Sequence, residues 1–132
     1  MLSVSLGFFV PGRPIPQGSK RHVGGGLMIE ASKHLPAWRE AVTLAARCAK
    51  ARARVGTIDG PVAVRLEFFL PEPKRPRHRL PITRPDADKL TRACLDALTN
   101  AGIWGDDAQV VHIDATKQYG QAGVYITVRS IE

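Results

Sequence analysis

The sequence predicts an α+β fold: one small domain, residues 1–132, with a mixed sheet of four or slightly more strands and two helices packed on one face. Four segments alternate apolar residues with the two-residue period of a β-strand. Two further segments place apolar residues three and four positions apart, as on one side of a helix. The resulting order is β, α, β, α, β, β, and 132 residues are enough for a single domain with an ordinary core.

The first half is predicted to hold one strand and one helix. The strand runs from Leu2 to Val10, where alternate residues are apolar. Residues 11–21 are rich in Pro and Gly and form a loop. The three glycines at 24–26 either turn a short hairpin within residues 21–30 or belong to a loop. Ser32 can cap the first helix, with Pro36 in its first turn, and the helix should end near Gly56.

The second half is predicted to hold three strands and one helix. Residues 62–70 alternate as the second strand, and residues 71–85 contain five prolines and five Lys/Arg, which is typical of a basic loop. From Asp88 an apolar stripe indicates a helix that ends at residues 100–102. Residues 111–116 form the third strand. A turn at 120–123 then leads into the fourth strand, residues 124–128, which should close a hairpin with the third.

Charge is divided unevenly along the chain. The formal net charge is +7, but residues 1–85 carry +10 and residues 86–132 carry −3. A basic part joined to an acidic part suggests a polyanionic partner and a cation site, although surface charge that serves solubility is the alternative. No apolar run approaches the ~20 residues of a membrane span. We therefore expect a soluble, cytoplasmic protein with no membrane partner, in which Cys48 and Cys94 are small buried residues.

Aspartates lie on both sides of the second predicted helix. Asp86 and Asp88 flank its start, whereas Asp106 and Asp107 follow its end. Each pair alone could be structural, because aspartate caps helices and occurs in turns. One cap needs one aspartate, however, and neighbouring carboxylates repel each other unless a cation lies between them. Two or three aspartates, water and a phosphate oxygen would satisfy Mg²⁺, which predicts a metal site for phosphodiester hydrolysis.

Two cations accompany these acids. Arg92 lies four residues after Asp88 and should project from the same side of the helix, where it would stabilise negative charge in the transition state. The alternative for Arg92 is an ion pair with Asp88 or Asp96. Lys89 is the second candidate for the basic catalytic role.

At these residues the sequence resembles the RusA family of Holliday junction resolvases. The resemblance rests on residues 86–99, DADKLTRACLDALT, and on residues 104–111, WGDDAQVV. It covers residues 62–130 well, and residues 10–21 resemble the first loop of that family. The sequence departs from the family at two positions: Lys89 stands where Asn is frequent, and Arg92 where a catalytic lysine is frequent. Arginine keeps the charge but does not donate its proton.

The resemblance implies a RusA-like fold and a homodimeric, magnesium-dependent endodeoxyribonuclease that cuts four-way DNA junctions symmetrically in recombination and repair. Mn²⁺ could substitute for Mg²⁺. Asp86, Asp88 and Asp107 fall on the family's acidic catalytic positions and would be the metal ligands. Lys117 falls on a basic position of the following strand.

The expected DNA contacts are basic residues of the two loops, together with Lys117. They are Lys20 and Arg21 in the first loop and Lys74, Arg75, Arg77, Arg79 and Arg84 in the second. Two rival interpretations stay open. One is a non-catalytic DNA-binding module whose aspartates are helix caps, and the other is a metal-dependent nuclease for other branched DNA or for RNA.

Overall fold

The computed structural model describes residues 3–18 and 26–132, with the side chains of residues 26–32 left out of the description. The structure confirms the α+β fold with a four-stranded mixed sheet and two helices on one face. The strands are β1 (Ser5–Pro11), β2 (Val62–Leu70), β3 (Val110–Tyr119) and β4 (Gly123–Ser130). The helices are α1 (Gly26–Ala53) and α2 (Ala87–Asn100), and a 3₁₀ turn covers Asp107–Gln109.

The strand order in the sheet is β1-β4-β2-β3. β4 pairs antiparallel with both β1 and β2, whereas β3 pairs with β2 in parallel. The predicted hairpin of the third and fourth strands is therefore wrong, because β2 lies between them. The short connection from β3 to β4 passes over the end of β2, where the Gly120 N–H donates to the Leu70 carbonyl over 3.0 Å.

Burial explains why β2, and not β3, occupies an interior position in the sheet. Six of its nine residues are buried, including Val62, Leu66 and Phe68. β3 has no buried residue along its length, and Val111 and Ile113 are 63% and 47% exposed. A strand that is apolar on the covered face and largely shielded on the other gains most from neighbours on both sides. An exposed strand tolerates an edge.

The helices cover the face of the sheet that carries Leu66 and Phe68, and α1 also packs against α2. The buried side of α2 includes Leu90, Ala93, Ala97 and Leu98, as its predicted stripe requires. Burying each large side chain of this kind contributes roughly 1.5–3 kcal/mol to stability. The opposite face of the sheet is open, and Phe9 and Tyr125 there remain more than a third exposed.

Helix α1 begins earlier than predicted. The structure is helical from Gly26, so residues 26–30 do not form a hairpin strand, and Pro36 lies inside the helix instead of in its first turn. Leu27, Met28, Glu30 and Ala31 all favour helix, which outweighs the capping signal of Ser32. Residues 21–25, the rest of that predicted hairpin, lie outside the described residues. The predicted end is confirmed within a few residues, since α1 stops at Ala53.

The two cysteines differ in their surroundings. Cys94 is fully buried in α2, as predicted, but Cys48 is exposed, which corrects the expectation for that residue. Burial raises the pKa of the Cys94 thiol to about 12, because the thiolate would lose its solvation. Among the helices that the structure describes, none combines the length and apolarity that a membrane span requires.

Candidate active site at the ends of helix α2

Two carboxylates, those of Asp86 and Asp88, lie at the N-terminal end of α2. Asp86 is the N-cap residue, but its side chain makes no capping hydrogen bond. Asp88 is the acidic residue of the first turn, and both side chains are exposed. The Lys89 ammonium lies 3.6 Å from the Asp86 carboxylate. Since an N-cap aspartate ordinarily accepts a backbone N–H, the capping interpretation does not account for Asp86.

Beyond the C-terminal end of α2, Asp106 caps the 3₁₀ turn that follows the helix. Its carboxylate accepts the Ala108 N–H over 2.9 Å, and the Gln109 side-chain oxygen accepts the Gly105 and Asp106 N–H groups over 2.9 and 3.1 Å. This is a capping box for the 3₁₀ turn. Asp107, the next residue, is exposed. The capping interpretation is therefore correct for Asp106 but leaves Asp107 available.

The two groups of acids are far apart within one chain. Helix α2 has 14 residues, which corresponds to roughly 20 Å of length between them. The sheet agrees, because β3 begins after Asp107 at Val110, opposite Val62, while Lys117 beside the Asp86 segment lies opposite Phe68. Six strand residues also span roughly 20 Å.

One chain by itself therefore does not bring Asp107 to Asp86 and Asp88, and the expectation that the three are ligands of one metal ion stays a prediction. In the described parts of the chain, no three His, Cys, Asp or Glu side chains form a group that could hold a metal. The reason is the rigid helix between them, which cannot bring its own two ends together. The catalytic role of each aspartate stays a prediction.

Arg92 and Lys89, the two cations predicted for the basic catalytic role, lie in the first two turns of α2. Arg92 is exposed, one turn beyond Asp88. Its predicted alternative partner Asp96 is engaged elsewhere, with the Arg39 guanidinium at 4.0 Å and the Gln17 amide at 2.6 Å. Lys89 forms an exposed ion pair with Asp86, at 3.6 Å, in the first turn of α2.

Sequence reasoning missed the docking of the first loop on α2. The Gln17 N–H donates to the Lys89 carbonyl over 3.0 Å, and its side-chain amide donates to Asp96. Gly18 lies beside the Lys89 stem. This loop therefore reaches the N-terminal end of α2, but Lys20 and Arg21, predicted there as DNA contacts, lie outside the described residues. The one available signal was an acid, Asp96, on the polar side of the helix two turns after Asp88.

The basic loop between β2 and α2 ends at the same place. The structure describes no helix or strand between Leu70 and Ala87. All five predicted contacts are exposed: Lys74, Arg75, Arg77, Arg79 and Arg84. Lys117 differs from them, because it is partly buried and its ammonium donates to the Thr83 and Pro85 carbonyls over 2.9 and 3.0 Å. The N-terminal end of α2 thus combines two exposed carboxylates with an adjacent run of exposed cations.

A family model described as Endodeoxyribonuclease RusA matches residues 11–129. The chain belongs to this family. The match extends the resemblance seen in the sequence to nearly the whole chain, and it includes both ends of α2 and both loops. RusA membership also agrees with the mixed open sheet and its two helices.

Individual RusA proteins are similar over a shorter stretch. Crossover junction endodeoxyribonuclease RusA from Escherichia coli strain K12 is 42% identical over 57 residues, as are the proteins of that name from Shigella sonnei strain Ss046 and Enterobacteria phage 82. The aligned stretch covers 43% of this chain and 40% of each relative. The chain is thus matched to about two fifths of the length of these relatives.

Proposed function

We propose that the protein is a metal-dependent endodeoxyribonuclease that resolves Holliday junctions by symmetric phosphodiester hydrolysis, acting in DNA recombination and repair in the cytoplasm. This proposal rests on the exposed carboxylates Asp86 and Asp88, of which the N-cap Asp86 makes no capping hydrogen bond. They directly follow a loop with five exposed cations. The names of the RusA relatives support the same reaction and substrate. An open surface of this kind suits a polymer that brings its own phosphates to the site.

The donor set at the N-terminal end of α2 fits Mg²⁺. This ion is commonly bound through one or two carboxylates together with substrate phosphates and water. Asp86 and Asp88 would hold it, and Mn²⁺ could replace it. When bound, the ion activates a water and stabilises charge on the phosphate. Arg92 and Lys89 add positive charge beside the reacting phosphate, while Lys74, Arg75, Arg77, Arg79 and Arg84 hold the DNA backbone.

A homodimer would give Asp107 a place in the same site. Among the strands that the structure describes, β3 pairs only with β2, so its other edge is unpaired, and Val111 and Ile113 on β3 are exposed. We propose that two copies pair their β3 strands antiparallel about a two-fold axis. Such pairing sets the start of one β3 against the end of the other. Asp107 of the partner subunit would then approach Asp86 and Asp88, and two such sites would suit paired cuts in a symmetric junction.

The test uses the purified protein with a labelled four-way junction, a matched linear duplex, a flap and an RNA, each with Mg²⁺, Mn²⁺ or EDTA. We expect junction cutting only with a metal, as two cuts related by symmetry. Junction binding should weaken steeply with salt, because about 6–10 phosphate contacts reduce affinity ~10³–10⁵-fold between 50 and 200 mM salt. A flat salt response would exclude the basic loop as a DNA contact.

The rivals give different results in the same assay. Metal-independent binding without cutting would identify a DNA-binding module, and preferential cutting of flaps or RNA would identify another nuclease. Ile113→Glu tests the dimer: it should give a monomer that binds junctions but does not cut them. Ile131→Glu, which alters a residue of similar exposure (45%) outside β3, should stay dimeric and active. A dimeric Ile113→Glu protein would contradict pairing through β3.

A further inference from the structure

Among the predicted DNA contacts that the structure describes, Lys117 is the one whose charged group donates hydrogen bonds to the chain itself. It lies on β3 opposite Phe68, so its side chain is on the face of the sheet that the helices cover. The side chain is partly buried, unlike those of the five basic-loop contacts. Its Nζ donates to the Thr83 carbonyl over 2.9 Å and to the Pro85 carbonyl over 3.0 Å. Two of its three protons are therefore directed at backbone oxygens.

These two carbonyls belong to the last residues before Asp86. The segment that leads into Asp86 contains no helix or strand, and a loop of this kind is free to move unless side chains hold it. The Asp86 side chain makes no capping bond, and its ion pair with Lys89 is about half exposed, so neither contact fixes its position firmly. The Asp86 backbone carbonyl accepts the Leu90 N–H over 3.0 Å in the first turn of α2. The position of Asp86 thus depends on how firmly the preceding residues are attached to the sheet.

We propose that Lys117 is a positioning residue that fixes Asp86 by tying the end of the basic loop to β3. The ammonium suits this role chemically, because it offers three donors and no acceptor, and carbonyl oxygens are its natural partners. Lys117 acts through Asp86 and does not contact the substrate. This inference deepens the proposed function of the same site, and it changes the assignment of Lys117 from a DNA contact to a support of a metal ligand.

The main test compares Lys117→Met with the wild-type protein. Methionine keeps the apolar stem and removes all three donors. Hydrogen exchange in the free protein should quicken at the Leu90 amide and its neighbours in the first turn of α2. Cutting of a four-way junction should fall about 10–100-fold, the usual effect of losing a group that supports a metal ligand, and the Mg²⁺ concentration for half-maximal cutting should rise. Junction affinity in EDTA and its salt dependence should stay at wild-type values.

Conservative variants and a control make this result specific. Lys117→Arg keeps donors and charge and should restore part of the activity and the slow exchange, and Lys117→Gln, which keeps an amide donor, should fall between Arg and Met. Arg129→Met removes one exposed positive charge from the open face of the sheet, and it should change neither exchange nor cutting.

The proposal is overturned if Lys117→Met leaves first-turn exchange unchanged. The alternative, a direct phosphate contact, predicts instead weaker junction binding in EDTA and a salt slope smaller by about 0.9. The exchange measurement is independent of catalysis. If the wild-type protein does not cut junctions, the proposed function fails, while accelerated exchange in Lys117→Met would still support the positioning role.

Discussion

At the C-terminal end of α2, cationic and aromatic side chains from other elements bind the helix end, whereas at the N-terminal end the acidic side chains are left exposed. The Arg47 guanidinium donates to the Asn100 carbonyl over 3.2 Å, and the Lys50 ammonium donates to the Gly102 carbonyl over 2.9 Å. These cations lie where the helix dipole favours positive charge. The indole N–H of Trp104, a fully buried residue, donates to Thr99 over 2.8 Å.

The acidic side chains at the N-terminal end lie in different surroundings. Asp86 makes no capping bond, and Asp86 and Asp88 are both exposed. Neighbouring residues in the chain carry positive charges, which could also bind a phosphate. The aspartates near the two ends of α2 therefore differ: Asp106 accepts a backbone hydrogen bond as a cap of the following turn, whereas the exposed Asp86 carboxylate caps nothing. This difference predicts that stability depends on one end and activity on the other.

The largest effect should come from Trp104→Ala. Removing a fully buried indole should lower the free energy of unfolding by about 3–5 kcal/mol, through lost burial and the cavity left behind. Chemical denaturation measures this change. Ile82→Ala removes an apolar side chain that is 68% exposed and should stay within about 0.5 kcal/mol of the wild-type protein. Equal losses of unfolding free energy in the two variants would show that the C-terminal end of α2 does not contribute more to stability.

Asp88→Asn should abolish most of the junction cutting while junction binding persists. The expected loss is more than the ~100-fold that follows from removing a group outside the ligand set, because a ligand itself is lost. Asp106→Asn is the matched control at the other end, where asparagine caps as well as aspartate and both activity and stability should be retained. Cutting by Asp88→Asn at the wild-type rate would contradict the site assignment.

The smallest expected effect is on the pH dependence of the free energy of unfolding, and it arises at Cys94 in the middle of α2. Its folded-state pKa of about 12 lies above the ordinary value of 9.0, so the stability it contributes is fully present below pH 9 and is lost as the pH rises toward 12. The slope is about 1.4 kcal/mol per pH unit above 9. Denaturation of the wild-type and Cys94→Ala proteins at pH 8, 9 and 10 measures it.

A slope that is the same in both proteins would show that Cys94 is not the group responsible. Alkylation gives an independent reading, since the thiolate is the reactive form. Iodoacetamide should modify the exposed Cys48 in the folded protein and reach Cys94 only after unfolding.

Local patterns were sufficient for β2 and α2. The alternation over residues 62–70 matches β2 residue for residue, and the apolar stripe after Asp88 matches the buried side of α2. The partners of the strands were not predictable in this way. β3 and β4 are separated by a short turn, so proximity favours a hairpin. The observed order follows instead from the burial of β2, which no local signal in β3 or β4 reports.

The residue types of the candidate site could be recognised in the sequence, but the distance between its two groups of acids was not predicted. The acidic residues and the basic loop are all recognisable in the sequence, and the family assignment agrees with them. Their separation was nevertheless implied by the predicted helix itself, because a helix from Asp88 to Asn100 must hold its two ends well apart. The hydrogen bonds of Lys117 could not be predicted, since its carbonyl partners lie more than thirty residues earlier in the chain.

The position of β4 has a consequence for biosynthesis. The last of the four strands to leave the ribosome occupies an interior slot, between β1 from the beginning of the chain and β2 from its middle. Until Gly123–Ser130 emerges, β1 has no neighbour in the sheet and the nascent chain exposes apolar strand edges. The sheet therefore cannot be completed before Gly123–Ser130 has been made, and a premature stop before residue 123 would remove the strand that joins the two halves of the sheet.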